Sequence, residues 1–297
     1  MIEVKYVWMD GKFVKWKNAK VHILTHCLHY GSGVFEGIRC YETIKGPAIF
    51  RHIDHLKRME NSAKLIGMKI PFTIEEIRRA TKELIRRNKI KSCYIRPICY
   101  YSYGEMGLEP RSPVSVAVIV WPWGKYLGKE KVAAKISSWR RIDRRTVPTN
   151  AKVCGYYINS ILAHNEAKNL GYDEAILLNI DGYVAEGPGE NIFIVKNKVL
   201  ITPPISAGIL PGITRDSVLK IAKDLKIKAI EKNITKKELL SADEVFFTGT
   251  AAEITAIEKI DNTEFKKFEI TNKIKDKFYE IVRGEDEKYY HWLDFVE

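Results

Sequence analysis

Thr149-Asn150-Ala151-Lys152-Val153-Cys154-Gly155-Tyr156-Tyr157 sets a lysine among small and apolar neighbours. It also marks a change of local structure. Val132 to Trp139 before it reads as a strand, and Tyr157 to Leu170 after it as a helix closed by Gly171. An amine held where water is scarce loses part of the solvation that keeps it protonated. A neutral amine attacks carbonyl carbon and forms a Schiff base. Most lysines of a chain with 49 Lys and Arg are solvated surface charges, so Lys152 needs support from other stretches.

Downstream, Ala175-Ile176-Leu177-Leu178 is a strand that turns at Asp181-Gly182 into Tyr183-Val184-Ala185-Glu186. Gly187-Pro188-Gly189-Glu190-Asn191 and the strand Ile192 to Val195 follow. Pro211-Gly212-Ile213-Thr214 opens a helix carrying Val218, Ile221, Ala222 and Leu225. Glu244-Val245-Phe246-Phe247 is a strand ending in Thr248-Gly249-Thr250-Ala251-Ala252, and Ile274 to Val282 is a late amphipathic helix.

Upstream, Asp10-Gly11 joins two short strands. Gly31-Ser32-Gly33-Val34-Phe35-Glu36-Gly37 fails the dinucleotide fingerprint, because Glu36 stands at the third glycine, and no phosphate loop of the Gly-x-x-x-x-Gly-Lys type exists. Ile53, Leu56, Met59 and Ala63 fall at helical spacing, with Arg58 off that face. Thr73 and Glu76 form a capping box opening a helix that ends near Asn88. Cys93 to Ile98 alternates as a strand with Tyr94 and Arg96 on one face, and Val114 to Val120 is an apolar strand.

The segment Trp121-Pro122-Trp123-Gly124-Lys125-Tyr126-Leu127-Gly128 is the best boundary in the chain. The pattern predicts a mixed α/β (α+β) protein: a small N-terminal lobe over 1–123, an interdomain lid loop over 124–132 and a larger lobe over 133–297. Ligand sites favour such junctions.

Composition excludes several classes. No apolar run is long enough to span a bilayer, and the N-terminus lacks the apolar centre of a signal peptide, so a cytoplasmic protein is expected. Five scattered cysteines without a Cys-x-x-Cys pair argue against a disulfide framework and a zinc site. No metal site is expected. The net charge of +12 permits nucleic-acid binding, but the basic clusters (Arg78-Arg79, Arg86-Arg87, Arg140-Arg141) are mostly interleaved with acids. Glutamine is absent, which suits surface chemistry adapted to heat.

Three features of the second lobe would serve Lys152. The helix start at Gly212-Ile213-Thr214 offers amide N–H groups, a positive dipole end and a hydroxyl to a phosphate. Gly249-Thr250-Ala251-Ala252 offers further N–H groups to an anion. Glu186 supplies a carboxylate that could keep a proton on a cofactor ring nitrogen. Amine, anion cup and acid together suggest pyridoxal 5′-phosphate (PLP), although each feature has an ordinary structural explanation.

In this order and spacing the motifs are distinctive. They include Tyr30-Gly31-x-x-Val34-Phe35-Glu36-Gly37-Ile38-Arg39, Phe50-Arg51-x-x-x-His55-x-x-Arg58, Tyr94-Ile95-Arg96-Pro97 and Ala151-Lys152-x-x-Gly155-x-Tyr157. Glu186-Gly187-x-Gly189-Glu190-Asn191, Leu210-Pro211-Gly212-Ile213-Thr214-Arg215 and Gly249-Thr250-Ala251-Ala252-Glu253 complete the set. The chain resembles, nearly end to end, the branched-chain amino acid aminotransferases of the class IV, PLP fold type IV family. The resemblance implies a two-lobed fold with the active site between lobes.

It implies that Lys152 is the Schiff-base lysine and proton carrier, that Glu186 meets the pyridine nitrogen and that Tyr157 meets the ring hydroxyl oxygen. Arg58, Ile213, Thr214 and Thr250 would surround the phosphate, with Gly189, Leu210 and Gly212 also lining the cofactor. Tyr94 and the Thr250-Ala251 backbone would hold the substrate carboxylate. Phe35, Gly37, Trp123, Tyr126 and Tyr157 would form the side-chain pocket, with Tyr30, Met106 and Leu108 entering from a second subunit. Arg96 would take the distal carboxylate of glutamate or 2-oxoglutarate: an apolar box with one guanidinium at its edge suits both substrate types.

The implied activity is reversible ping-pong transamination between L-branched-chain amino acids and 2-oxoglutarate, by a homodimer at least. The Tyr94-x-Arg96 pair favours this over transamination of D-amino acids or (R)-amines, and the motifs weigh against a nucleic-acid-binding protein. Cys154 and Tyr156 depart from the family's usual small and Asn-like residues.

Overall fold

The computed structural model describes residues 3–124 and 129–296. Contacts divide the chain into two compact units. One comprises Met1–Trp123, Ala151–Gly155 and Glu280–Glu297; the other comprises Gly124–Asn150 and Tyr156–Tyr279. The lysine segment therefore belongs with the N-terminal unit, although the sequence pattern assigned all of 133–297 to a C-terminal lobe. Part of the lid segment and Tyr126 lie outside the described residues.

The first unit is built on an antiparallel sheet. Its strands run Leu293–Phe295, Gly46–Phe50, Ile38–Thr43, Cys93–Tyr101, Val114–Trp121, Tyr6–Met9 and Lys12–Lys15 in spatial order, and Gly33–Phe35 also pairs with Cys93–Tyr101. Helix His52–Leu65 packs against helix Ile74–Asn88 and strand Gly33–Phe35, which buries Leu56 and Met59. The expected capping box opens the second helix: Thr73 Oγ1 accepts from the Glu76 amide, and Glu76 accepts from the Thr73 amide. Ile77, Leu84 and Ile85, at helical spacing, sink fully into the core.

The C-terminal strand is clamped by charge as well as by backbone pairing. Asp294 accepts from His52 Nδ1 at 2.8 Å and from Arg78 at 2.8 and 2.6 Å, and Lys82 Nζ lies 2.6 Å away. Burial alone would raise the Asp294 pKa, but these partners hold it well below the usual carboxylate range.

The second unit has a mixed sheet, with spatial order Val184–Glu186, Glu174–Leu178, Lys131–Arg140, Glu253–Ile260, Glu244–Gly249, Asn191–Lys196, Val199–Thr202 and Ala229–Glu231. Lys131–Arg140 pairs in parallel with both its neighbours. Glu174–Leu178 is buried at every position, which is why Ala175 to Leu178 reads as an unbroken apolar run. Ala163 and Ala167 let helix Tyr157–Asn169 lie close on this strand and on Lys131–Arg140. Helix Ile213–Asp224 covers Glu244–Gly249 through a face that includes Val218, Ile221 and Ala222.

Candidate active site

In the first unit, the lysine segment lies along strand Gly33–Phe35. Val153 bridges Val34, the Phe35 N–H donates to the Lys152 carbonyl at 3.1 Å, and the Gly155 N–H donates to the Gly31 carbonyl at 3.1 Å. The backbones touch here: a β-carbon on Gly31 would lie 2.6 Å from the Gly155 α-carbon. Gly31 is needed for this approach. Ser62, buried on helix His52–Leu65, accepts from the Lys152 amide at 3.0 Å. The amine itself sits 4.9 Å from the centre of the Phe35 ring.

Arg96 addresses the same ring, with its guanidinium carbon 4.7 Å from the centre of Phe35 and 5.4 Å from that of Tyr94. Tyr94, Trp121 and Trp123 cluster at 4.6–5.4 Å between ring centres. The Tyr94 hydroxyl stands over Gly37, where a β-carbon would come within 1.9 Å of it. The Arg96 Nε and Trp121 Nε1 donors are buried without a hydrogen-bond partner among the described residues. Unmet buried donors in an aromatic box call for an acceptor, and a carboxylate answers that need. Phe35, Gly37, Tyr94, Arg96 and Trp123 are thus brought together. Trp121 is an addition that sequence reading missed, although it faces Tyr94 across the sheet.

Arg58 forms a buried two-point ion pair, donating through Nε to Glu36 Oε1 at 2.7 Å and through Nη2 to Oε2 at 2.8 Å. His55 Nδ1 lies 2.7 Å from the same Oε2. Burial of Glu36 opposes ionisation, but the Arg58 charge and the hydrogen bonds from Arg58 and His55 hold its pKa far below normal. Glu36, to which the sequence reading gave no role in the site, fixes the plane of the expected phosphate-binding guanidinium. Tyr30, Met106 and Leu108 lie on the surface of this unit, together with the exposed Ile23, Leu28 and Tyr103. The His26–Gly107 hydrogen bond of 2.7 Å and the Thr25–Tyr103 bridge tie the 101–108 loop to helix His26–Tyr30.

In the second unit, Glu186 ends strand Val184–Glu186 at a β-bulge, where three residues face Leu177 and Leu178. Such bulges re-aim side chains next to active sites. The Glu186 carboxylate accepts from Arg141 Nε at 2.6 Å, Asn191 Nδ2 at 3.0 Å and the Leu210 amide at 3.1 Å. Arg141 corrects the sequence reading, because one member of a supposedly solvated Arg140-Arg141 pair is buried and neutralises Glu186. Its position after a strand that ends beside Glu174–Leu178 was the available signal. Asn191 also donates to the Leu210 carbonyl at 2.9 Å, which joins the Glu186 loop to the Leu210-Pro211-Gly212 approach.

Gly212 caps helix Ile213–Asp224 in an extended conformation and supplies no side-chain acceptor to the first-turn amides. That helix start, with the buried Thr214 beside it, suits a phosphate. Thr250 and Ala251 lie in the turn between paired strands Glu244–Gly249 and Glu253–Ile260, and the buried Thr248 hydroxyl has no partner among the described residues. Gly189 lies in the loop before Asn191, its amide donating to Glu190 at 3.1 Å. Tyr157 begins helix Tyr157–Asn169. A helix start without a capping acceptor, an orphaned hydroxyl and a carboxylate ringed by donors fit a phosphorylated heteroaromatic cofactor.

The family model for amino-transferase class IV matches residues 33–260. The chain belongs to the class IV aminotransferases. It is 43% identical over 300 residues to the branched-chain-amino-acid aminotransferase of Escherichia coli K12, covering 98% of this chain and 97% of that one. It is 41% identical over 280 residues to a putative branched-chain-amino-acid aminotransferase of Methanocaldococcus jannaschii, covering 93% and 96%. Among solved structures, the branched-chain aminotransferase of Thermoproteus uzoniensis with norvaline superposes with a TM-score of 0.97 at 49% identity, covering 99% of this chain and 100% of that one. The branched-chain amino acid aminotransferase of Thermobaculum terrenum in its PLP-bound holo-form has a TM-score of 0.94 at 37% identity, with 99% of both chains covered. As in those relatives, this class IV aminotransferase has the mixed fold expected from its sequence.

Among the described residues, no helix is long and apolar enough to cross a membrane, and no group of three or more His, Cys, Asp or Glu could hold a metal ion.

Proposed function

We propose that this enzyme catalyses reversible, PLP-dependent transamination between L-branched-chain amino acids and 2-oxoglutarate. The observation that carries the reading is the Phe35 ring with Lys152 and Arg96 both against it, 4.9 and 4.7 Å from its centre. An amine able to bond a carbonyl carbon shares one aromatic surface with a guanidinium able to receive a second carboxylate. Aliphatic side chains would pack on Phe35, Tyr94 and Trp123; a dicarboxylate would satisfy Arg96.

PLP, when bound, supplies the electron sink that stabilises negative charge at the substrate α-carbon. Lys152 would hold the cofactor through its Nζ, the amine that lies against Phe35, and would carry the proton to and from the substrate α-carbon. Glu186, held in place by Arg141, Asn191 and the Leu210 amide, would accept the ring N–H. By the family resemblance, Arg58, oriented by Glu36, would hold the phosphate, a role expected also of the Ile213 and Thr214 amides and Thr250, and Gly189, Leu210 and Gly212 would line the cofactor. Tyr157 donates to the ring hydroxyl oxygen. The Tyr94 hydroxyl would take the substrate α-carboxylate, a role the family resemblance gives also to the Thr250 and Ala251 amides. Tyr126 would add to the side-chain pocket.

Partner-facing roles for Tyr30, Met106 and Leu108 would make the active unit a homodimer, which accounts for an apolar surface that includes Ile23 and Leu28. Free cysteines suit a reducing compartment such as the cytoplasm.

Half-reactions followed through the cofactor absorbance test the proposal. L-leucine and L-glutamate should each convert the cofactor, whereas D-alanine and (R)-1-phenylethylamine should not. Borohydride should fix the phosphopyridoxyl group on Lys152. Faster conversion by D-alanine or the (R)-amine, or trapping on another lysine, would overturn the reading.

A further inference from the structure

Cys154 lies two residues beyond Lys152, and Cys27 lies on helix His26–Tyr30. Distant in sequence, they are neighbours in the first unit. A β-carbon on Gly33 would lie 2.8 Å from Cys27 Sγ and 3.1 Å from Cys154 Sγ, so the two sulfurs flank one point on the strand that carries the lysine segment. The neighbouring Cys154 thiol holds the Cys27 pKa below its ordinary value, against the opposing effect of burial, while the Cys27 sulfur and burial push that of Cys154 up. Cys27 is therefore the member that ionises first and the better nucleophile. Both side chains are half-buried rather than sealed.

A second pair provides a contrast. Cys40 and Cys93 face each other across the sheet, but both are fully buried, and burial and the neighbouring thiol keep Cys93 protonated.

We propose that Cys27 and Cys154 are a thiol-oxidation site that closes reversibly to a disulfide and, by closing, withdraws Lys152 from carbonyl chemistry. The oxidant is a small-molecule disulfide. The Cys27 thiolate attacks one of its sulfurs and releases one thiolate. Deprotonated Cys154 then attacks the Cys27 sulfur and releases the second. The protein loses two electrons and two protons, and the small disulfide becomes two thiols.

Closure must bring the sulfurs to ~2.0 Å. The segment has little slack to absorb this, because Gly155 is bonded to and packed on Gly31, and Lys152 is held from both sides by Phe35 and Ser62. The strain falls on the backbone between Lys152 and Gly155. The consequence for Lys152 rests on its proposed role as carbonyl-binding amine; the cross-link does not.

Purified enzyme treated with oxidised glutathione under native conditions should lose two of its five alkylatable thiols and yield a Cys27–Cys154 linked peptide, reversed by dithiothreitol. Borohydride-trapped labelling of Lys152 by PLP should slow on the order of 10²-fold when oxidised and recover on reduction. Cys154→Ser should stop at a mixed disulfide on Cys27, and Cys27→Ser should leave Lys152 labelling insensitive to oxidant. Retention of all five thiols, or a stable mixed disulfide in the unsubstituted enzyme, would overturn the site. A linked peptide with unchanged Lys152 labelling would overturn its effect. Failure of PLP to label reduced enzyme would count against the transaminase reading while the thiol map still judged the cross-link.

Discussion

Replacing Glu36 by Gln tests how Arg58 is held. The side chain keeps its shape but loses the charge that neutralises Arg58 and anchors His55. Glu36 is fully buried, and its ion-pair partner has a side chain only 11% exposed, so solvent does little to replace the lost charge. Breaking such a pair from one side costs about 3–5 kcal/mol. The lower end applies, because the Gln carbonyl still accepts one hydrogen bond and Arg58 keeps its other contacts. A loss of about 3 kcal/mol corresponds to a fall in Tm of roughly 5 °C in a chain of 297 residues. Urea denaturation of Glu36→Gln, Arg58→Met and the double variant, each without cofactor, measures the coupling. The double variant should be more stable than the two single losses predict when summed, since it removes both charges together. Additive losses, or a loss below about 1 kcal/mol for Glu36→Gln, would refute the view that the pair's energetics are those of a desolvated charge held by its partner.

Arg96→Leu should slow the half-reaction with L-glutamate by about 10²-fold or more while leaving that with L-leucine within a few-fold, read in a stopped-flow spectrophotometer. Gly37→Ala would put a methyl carbon 1.9 Å from the Tyr94 hydroxyl; because Trp121 and Trp123 crowd that ring, kcat/KM should fall about 10–10²-fold with every amino donor. Stability should decline as pH falls below the ordinary histidine value of 6.5, because burial lowers the pKa of His52 and His55 and folding favours their neutral forms. Their contribution is present above that value and fades toward the depressed folded ones, so His55→Gln should flatten the slope of Tm against pH between about 6.5 and 5. The Glu36 and Asp294 contributions have the same sign but persist into strong acid, since both carboxylates titrate far below normal.

Local chemistry in this chain was legible wherever it repeats at a fixed spacing. Thr73 and Glu76 announce a helix start because their hydrogen bonds close within one turn, and Tyr94 and Arg96 announce a shared face because strands alternate. The pairings that make the site run across long loops, where periodicity names a face but not the residue opposite it. Arg58 sits off the apolar stripe of its helix, which reads as solvent until Glu36 is known to lie beneath it. Arg141 looked like part of a basic surface for the same reason. The lysine segment was assigned to the later lobe because it is contiguous with it; the Val34–Val153 bridge and the Gly31–Gly155 contact, which draw it to the first unit, involve residues with no chemical mark of their affinity.

Phe35-Glu36-Gly37 shows why one short stretch concentrates so much of the chemistry. The Glu36 N–H is bonded to the Pro97 carbonyl at 2.9 Å, which pins the backbone where two strands of the sheet meet. Phe35 then presents its ring to Lys152 and Arg96, while Gly37 leaves room for the Tyr94 hydroxyl. Between them Glu36 reaches Arg58 and His55 on helix His52–Leu65. On the proposed reading, the groups that would meet the carbonyl carbon, the distal carboxylate, the α-carboxylate and the phosphate are all referred to three consecutive residues. A shift of this backbone by about 1 Å would misplace all of them together, with losses on the order of 10²-fold. Burial of Glu36 in an ionised state, costly in isolation, is what prevents such a shift: moving the strand would separate a desolvated carboxylate from the guanidinium that stabilises it.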